Sequence, residues 1–247
     1  SSVLMRVEVN NFEQSLDYPV DEPCTVEIAD SDGQEITLEM DSRLTDDGCW
    51  VVTLYATTWI VNYTGLPLRY SHKSTPQGAL LLPGTSEHGV ISQRPTICDV
   101  ETMRVSVVGE LNMFASHSFD TAWSQSFNLT SVGTTGAVSI HDNNRSDGSP
   151  QHRYDLVVSI RFSNGRYKRT RIVALSAQYQ LLNHLEHPLF YVQADKHALR
   201  ADGMGVAVQP HVSTPVYWRN ANGKKELFLR AGATDAQRWS AAIAVDS

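Results

Sequence analysis

Apolar and polar residues alternate with a period of two along much of the chain. Met5, Val7 and Val9 alternate with Arg6 and Glu8, Ile36, Leu38 and Met40 with Thr37 and Glu39, and Met103, Val105 and Val107 with Arg104 and Ser106. The longest run is Tyr154, Leu156, Val158, Ile160, Phe162, with Asp155, Ser159 and Arg161 between. Side chains at i and i+2 of an extended chain share a face, so each run predicts a strand with one face on a core and one toward water. Asp32-Gly33, Asp47-Gly48, Asp147-Gly148, Asn164-Gly165 and Asn222-Gly223 punctuate the runs and predict tight type I′ hairpins. No stretch sustains a 3.6-residue period with caps. The pattern predicts an all-β protein built as an antiparallel β-sandwich or barrel.

The pattern also repeats. Asn62, Pro67, Leu68 and Tyr70 recur as Asn183, Pro188, Leu189 and Tyr191 at one offset of 121 residues, which also pairs Val52 with Val173, Leu54 with Leu175 and Ala56 with Ala177. Trp123-Ser124 recurs as Trp239-Ser240, and Val26 and Ile28 recur as Val138 and Ile140. Three markers in one order predict two tandem β-sandwich modules of about 112 residues, 26–137 and 138–247. Residues 1–25 fit neither copy. Met5 to Val9 resembles Met103 to Val107, so the segment reads as the end of a preceding repeat or an extra edge strand. This remainder predicts a slice of a longer repeat array. Loop 71–93, with Pro76, Gly78, Pro83, Gly84 and Gly89, lacks a clear strand pattern.

Length, composition and charge change the picture in four ways. At roughly 100–200 residues per domain, 247 residues suffice for two ordinary domains with real cores. The longest unbroken apolar run is five residues, Ala241 to Val245, so no transmembrane segment is predicted, and no basic-then-apolar stretch opens the chain. Three cysteines make no disulfide framework and predict a reducing compartment. The net charge of −7 hides an asymmetry: residues 1–50 hold 13 acids against two arginines. The densest basic stretch, Arg161, Arg166, Lys168, Arg169 and Arg171, reads first as the solvated face of a hairpin and second as a patch for lipid headgroups or an acidic partner. Without basic–aromatic interleaving, no nucleic-acid partner is predicted.

The repeated asparagine is the sharpest motif. Each copy follows a short apolar strand and precedes a turn with proline five residues on. An Asn amide donates and accepts, so it can satisfy a backbone N–H and a C=O together and lock a strand end to a loop. Alternatively it shapes a sheet edge where a partner peptide pairs. The run Trp59-Ile60-Val61-Asn62-Tyr63-Thr64-Gly65-Leu66, the downstream Trp-Ser and the strand into Leu182-Asn183 resemble the adaptor-binding domain of the vacuolar-protein-sorting-13 family. The members of that family are bridge-like lipid-transfer proteins of membrane contact sites. The resemblance implies a string of β-rich repeats, each with an asparagine where Asn62 and Asn183 stand.

It further implies a non-catalytic module that recognises Pro-x-Pro motifs of organelle adaptor proteins and so targets a larger lipid-transfer protein. The implied location is cytoplasmic, peripheral at contacts of endosome, mitochondrion, vacuole or another organelle. A Pro-rich ligand is already extended and suits a sheet edge or an aromatic groove. Trp59, Tyr63, Tyr70, Tyr179 and Tyr191 flank the asparagines and are the candidates to line such grooves, with core packing as their competing role. The second copy departs from the first at Gln180 for Trp59 and Glu186 for Gly65, so the two sites are not equivalent.

No enzyme is predicted. His184 and His187 flank Leu185-Glu186 in a turn without a defined third ligand, so no metal is expected. No nucleophile elbow or Gly-rich phosphate loop occurs, and no cofactor is expected. The rival class is a secreted glycan-binding or adhesive β-sandwich protein, suggested by sequons at Asn62, Asn128 and Asn144. The first overlaps the repeat asparagine, which a glycan would obstruct.

Overall fold

A computed structural model describes residues 3–8, 13–29, 35–72, 75–81, 83, 86–87, 90–91, 96–97, 101–108, 122–141, 151–194, 205–232 and 238–245. Among them the chain is nearly all strand. An N-terminal pair, β1 (Leu4–Arg6) and β2 (Asp17–Pro19), precedes a three-stranded meander of β3 (Cys24–Ala29), β4 (Glu35–Leu44) and β5 (Trp50–Tyr55). Next come β6 (Thr58–Tyr63), β7 (Leu68–His72), β8 (Thr75–Leu81), β9 (Ser86–Glu87), β10 (Val90–Ile91), β11 (Thr96–Ile97), β12 (Thr102–Val107) and β13 (Phe127–Asn128). A second meander follows: β14 (Thr135–His141), β15 (Arg153–Phe162) and β16 (Arg171–Ala177). The chain then runs through β17 (Tyr179–Leu182), β18 (Leu189–Gln193), β19 (Val206–Val208), β20 (Ser213–Val216), β21 (Glu226–Ala231) and β22 (Ile243–Ala244).

The alternation reaches the core as its period requires. Along β15, Tyr154, Leu156, Val158 and Ile160 are buried, while Arg161 and Phe162 at the end are exposed. The β16 strand lines up beside it with Val173 and Leu175 fully buried. Its other edge is taken by β6 in parallel, Val173 opposite Ile60 and Leu175 opposite Asn62, giving the sheet order β11-β6-β16-β15-β14. The second sheet, β13-β12-β7-β8, contributes Leu68, Leu81, Met103 and Val105 to the same core.

This largest core therefore draws on both sides of residue 138. Ile60, Leu68, Val105 and Leu129 come from before it, and Ile140, Leu156, Val158, Val173 and Leu175 from after it. The period of the sequence and the sandwich in space are out of phase by half a repeat. Two smaller cores flank the large one. Val7, Val26, Ile28, Ile36 and Met40 join β1 to the first meander, and Tyr191, Val208, Val216, Trp218 and Leu227 lie in the C-terminal strands.

Three local expectations change. At Asn164-Gly165 the backbone forms a single 3-10 turn over Gly165–Tyr167, with Asn164 extended, because the connection is too long for a two-residue hairpin. Loop 71–93 contains β8, whose Leu81 is buried; Pro76 is tolerated because β8 is an edge strand, and together with Gly78 it masks the alternation. The acidic and basic stretches meet at Arg169, whose guanidinium pairs with Asp41 and lies 5.1 Å from the centre of the Tyr55 ring. The Gly-turns at Asp32 and Asp147 lie outside the described residues, as do Cys98 and Asn144. Cys24 and Cys49 are free thiols. No described helix is long and apolar enough to cross a membrane.

Candidate functional site

Both repeat asparagines are buried, Asn62 at 0% and Asn183 at 1% exposure, and both hold the same turn. Asn62 Nδ2 donates to the carbonyls of Leu66 (2.7 Å) and Leu81 (3.0 Å), and its Oδ1 accepts from the Thr64 amide (3.0 Å) and hydroxyl (2.6 Å). Asn183 Nδ2 donates to the carbonyls of His187 and Val208, both at 2.9 Å, and its Oδ1 accepts from the Leu185 amide at 2.9 Å. Each side chain thus ties its own turn, at i+2 and i+4, to the edge of a neighbouring strand. Two Nδ2 protons and the carbonyl oxygen are spent on the chain itself. That geometry shapes a strand end, and a glycan on Asn62 has no place in it.

The surroundings of the two turns differ. Over the first, the Tyr217 hydroxyl donates to the Thr64 carbonyl at 2.6 Å, and a Cβ on Gly65 would stand 3.6 Å from Pro215. Burial drives the Tyr217 hydroxyl pKa upward. Both edges of β6 are occupied, by β11 and β16. The β17 strand pairs with β20 alone, so the edge that corresponds to the β16 side of β6 carries no strand among the described residues. Around the Asn183 turn Leu182, Leu185 and Val212 are about half exposed, at 48%, 45% and 45%, and Glu186 faces His211 at 3.6 Å.

The flanking aromatics separate into core and rim. Tyr70 and Tyr191 are buried; the Tyr191 hydroxyl donates to the Pro215 carbonyl at 3.2 Å, and burial pushes its pKa up to about 12. Tyr63 and Trp59 are half-buried, Trp59 in a groove of about 940 Å³ shared with Tyr55, Tyr167 and Arg169. Tyr179, at the start of β17, meets Trp218 edge-on at 5.4 Å and accepts a hydrogen bond from Lys225 Nζ at 3.0 Å. Lys225 also pairs with Asp155 at 3.3 Å; Asp155 is 1% exposed and accepts from Arg153 Nε (2.7 Å) and Ser139 Oγ (2.6 Å). Burial pushes the Asp155 carboxyl up, but those bonds and the two cations outweigh it and hold its pKa below the ordinary aspartate value. This network fastens β17 to the central sandwich.

Sequence reasoning found the tryptophan–serine marker but missed what the serine does. Ser124 Oγ accepts from the Val105 amide at 3.0 Å and donates to the Gln125 carbonyl, while its own amide donates back to Val105 at 2.7 Å. Ser240 makes the same three bonds with Leu229 and Ala241, and Ser15 makes them with Val7 and Leu16. Gln14 stands where the other copies have tryptophan, so the third latch carried no aromatic signal. The stacking position is shared too: Arg104 lies 4.8 Å from the Trp123 ring and Arg230 4.8 Å from the Trp239 ring, while Arg6 bonds Gln14 at 3.3 Å. No cluster of three or more histidine, cysteine or acidic side chains converges on a metal position among the described residues.

The described residues thus form an array of β-strands with a recurrent asparagine turn and three serine latches. The chain belongs to the family described as vacuolar-sorting associated protein 13, adaptor binding domain, whose model matches residues 1–247. It is 26% identical to the intermembrane lipid transfer protein tipC of Dictyostelium discoideum over 257 aligned positions, covering 87% of this chain and 6% of that protein. It is 20% identical to the intermembrane lipid transfer protein vps13D of the same organism, covering 81% of this chain and 6% of that protein. The chain thus corresponds to a small part of these relatives, and the part is an adaptor-binding domain rather than an enzyme.

Proposed function

We propose that this chain recognises Pro-x-Pro segments of organelle adaptor proteins beside the Asn183 turn, along the β17 edge that carries no strand among the described residues, and so positions a lipid-transfer protein at a membrane contact site. The observation that carries this reading is the contrast between the two asparagine turns: the Asn62 turn meets Pro215 and Tyr217, whereas around the Asn183 turn Leu182, Leu185 and Val212 are about half exposed and one β17 edge carries no strand among the described residues. The chemistry of the ligand fits. In an extended chain the N–H and C=O of one residue point to one side and those of the next to the other. Two prolines spaced by two therefore turn their missing N–H groups to the same outer side. The middle residue then presents its N–H and C=O to β17, and the outer side cannot recruit a further strand.

In this reading Asn183 and Asn62 are site-shaping residues, Tyr179 sets the start of the binding strand, and Tyr63, Tyr70, Tyr191 and Trp59 support the modules. Residues 26–137 and 138–247 are two copies of one sequence unit, with 1–25 as the end of another; the three serine latches support this division. Isothermal titration of a Pro-x-Pro peptide tests the proposal. Micromolar-scale affinity is expected, lost when the central residue is N-methylated and reduced at least about tenfold by Asn183→Ala, since freed backbone groups let the turn relax. Equal affinity of the N-methylated peptide overturns the strand-edge geometry. No affinity for any Pro-x-Pro peptide overturns the ligand class.

A further inference from the structure

The hairpin turn between β15 and β16 differs in kind from its counterpart between β4 and β5. Met40 faces Leu54 and Val158 faces Leu175, and Leu54 and Leu175 are repeat equivalents, so Leu44 corresponds to Phe162. From Leu44 the first hairpin crosses Thr45, Asp46, Asp47, Gly48 and Cys49 to Trp50, an acidic tip. The second crosses eight residues to Arg171, and the stretch 161–171 holds five cations and no acid, in a chain of net charge −7.

The longer turn is held by its own backbone. The Ser163 amide donates to the Thr170 carbonyl at 2.8 Å, the Thr170 amide donates to the Tyr167 carbonyl at 2.9 Å, and Gly165 takes a φ of +64°. Two of the cations anchor it: Arg169 to Asp41, and Arg171 to the Leu129 carbonyl at 3.4 Å. Arg161 and Lys168 remain exposed, and beside them stand two large rings half in water, Phe162 at 51% and Tyr167 at 56%.

We propose that this turn, residues 161–169, is a contact site for an anionic bilayer surface, with Phe162 and Tyr167 entering the headgroup layer and Arg161 and Lys168 meeting lipid phosphate and carboxylate. An acidic peptide would satisfy the cations but leave the Phe162 ring, which has no polar atom, without a suitable environment. The boundary between headgroups and acyl chains takes an aromatic ring, a phenol and cations side by side. Attraction to an anionic leaflet adds to this within a Debye length. The surface shares no residue with the β17 edge, so its failure leaves the peptide reading untouched.

Co-sedimentation of the 247-residue chain with vesicles tests it. Phosphatidylcholine vesicles containing about a third phosphatidylserine should bind, pure phosphatidylcholine only weakly, and binding should fall as salt is raised. Arg161→Gln with Lys168→Gln should weaken binding roughly 25-fold, about fivefold per cation removed. Phe162→Ser with Tyr167→Ser should weaken it comparably, and Arg161→Gln with Lys168→Gln should keep the wild-type melting curve because those two side chains are exposed. Absence of binding to the phosphatidylserine vesicles overturns the proposal, as does wild-type binding by both double variants. Capture by soluble poly-glutamate without vesicle binding also overturns it, and points to an acidic protein partner.

Discussion

The two asparagines do equal work in unequal settings, and the difference is measurable as stability. Asn62→Ala strips partners from the Leu66 and Leu81 carbonyls and the Thr64 amide in a fully buried turn that Tyr217 also braces. Each abandoned buried group costs about 1–3 kcal/mol, and partial relaxation brings the expected total to about 3 kcal/mol in a urea melt. Asn183→Ala should cost less, about 1–2 kcal/mol, because water reaches the exposed Leu185 turn. The serines sort the same way. Ser124→Ala leaves the Val105 amide unpaired at a residue with 0% exposure, whereas Ser240 lies at the surface, so the first substitution should be the more destabilising by about 1 kcal/mol. Asp155 adds a pH signature. Its folded pKa lies below the unfolded value, so its contribution is complete above about pH 4–5 and drains away as pH falls through the lower folded value. Asp155→Asn should cost about 2–3 kcal/mol at neutral pH, less than a fully buried pair because Arg153 and Lys225 are 30% and 25% exposed. The variant should also show a flatter acid limb in thermal melts recorded from pH 6 to pH 2. An unchanged acid limb would remove Asp155 from the account of acid stability.

Strands were legible in proportion to how strictly their neighbours enforce the alternation. The β15 and β12 strands, with partners on both edges and one face on the core, carry clean period-two patterns. The β8 strand sits at an edge, where Pro76 and Gly78 are tolerated, and the pattern dissolves. What pairs with what was not legible at all. The parallel union of β6 with β16 joins residues more than a hundred positions apart, and no local signal announces it. The asparagine motif could be found from its repetition, yet its burial and its commitment to carbonyls on β8 and β19 depend on strands that are distant in sequence. The pairing of β17 with β20 was illegible for the same reason, since it joins residues more than thirty positions apart. This gives a test at the element scale. Gln180→Pro and Leu181→Pro remove single amides from β17 on opposite sides. Leu181 pairs with Thr214 of β20. Measuring peptide affinity and stability for both separates the edges: loss of affinity at wild-type stability marks the amide that faces the ligand, and loss of stability marks the one bonded to β20.

At the scale of the whole chain, the half-repeat offset between sequence period and sandwich decides how the molecule comes apart. A tandem array whose copies each enclosed a core could be cut between copies with little loss. Here the central core takes Ile60, Leu68, Met103 and Val105 from one copy and Leu156, Val158, Val173 and Leu175 from the next. A cut at 137/138 therefore falls within β14, parts β6 and β11 from β15 and β16 of the same sheet, and strips the β13-β12-β7-β8 sheet of most of its cover. Fragments 1–137 and 138–247 should each show weakened protection in the central strands, bind a hydrophobic dye, and recover native-like protection only when mixed. The fragment 56–178 should fold more cooperatively than either, although it matches neither copy of the sequence unit, because it contains both sheets and every buried residue of the central core. Hydrogen exchange read by mass spectrometry distinguishes the cases. High, independent protection of β6 and β12 in fragment 1–137 would mean that each sequence copy is a folding unit by itself. The offset also joins neighbours: the β6–β16 seam unites strands of both copies, and the Asp155–Lys225–Tyr179 chain ties β15 to the strand proposed to hold the adaptor.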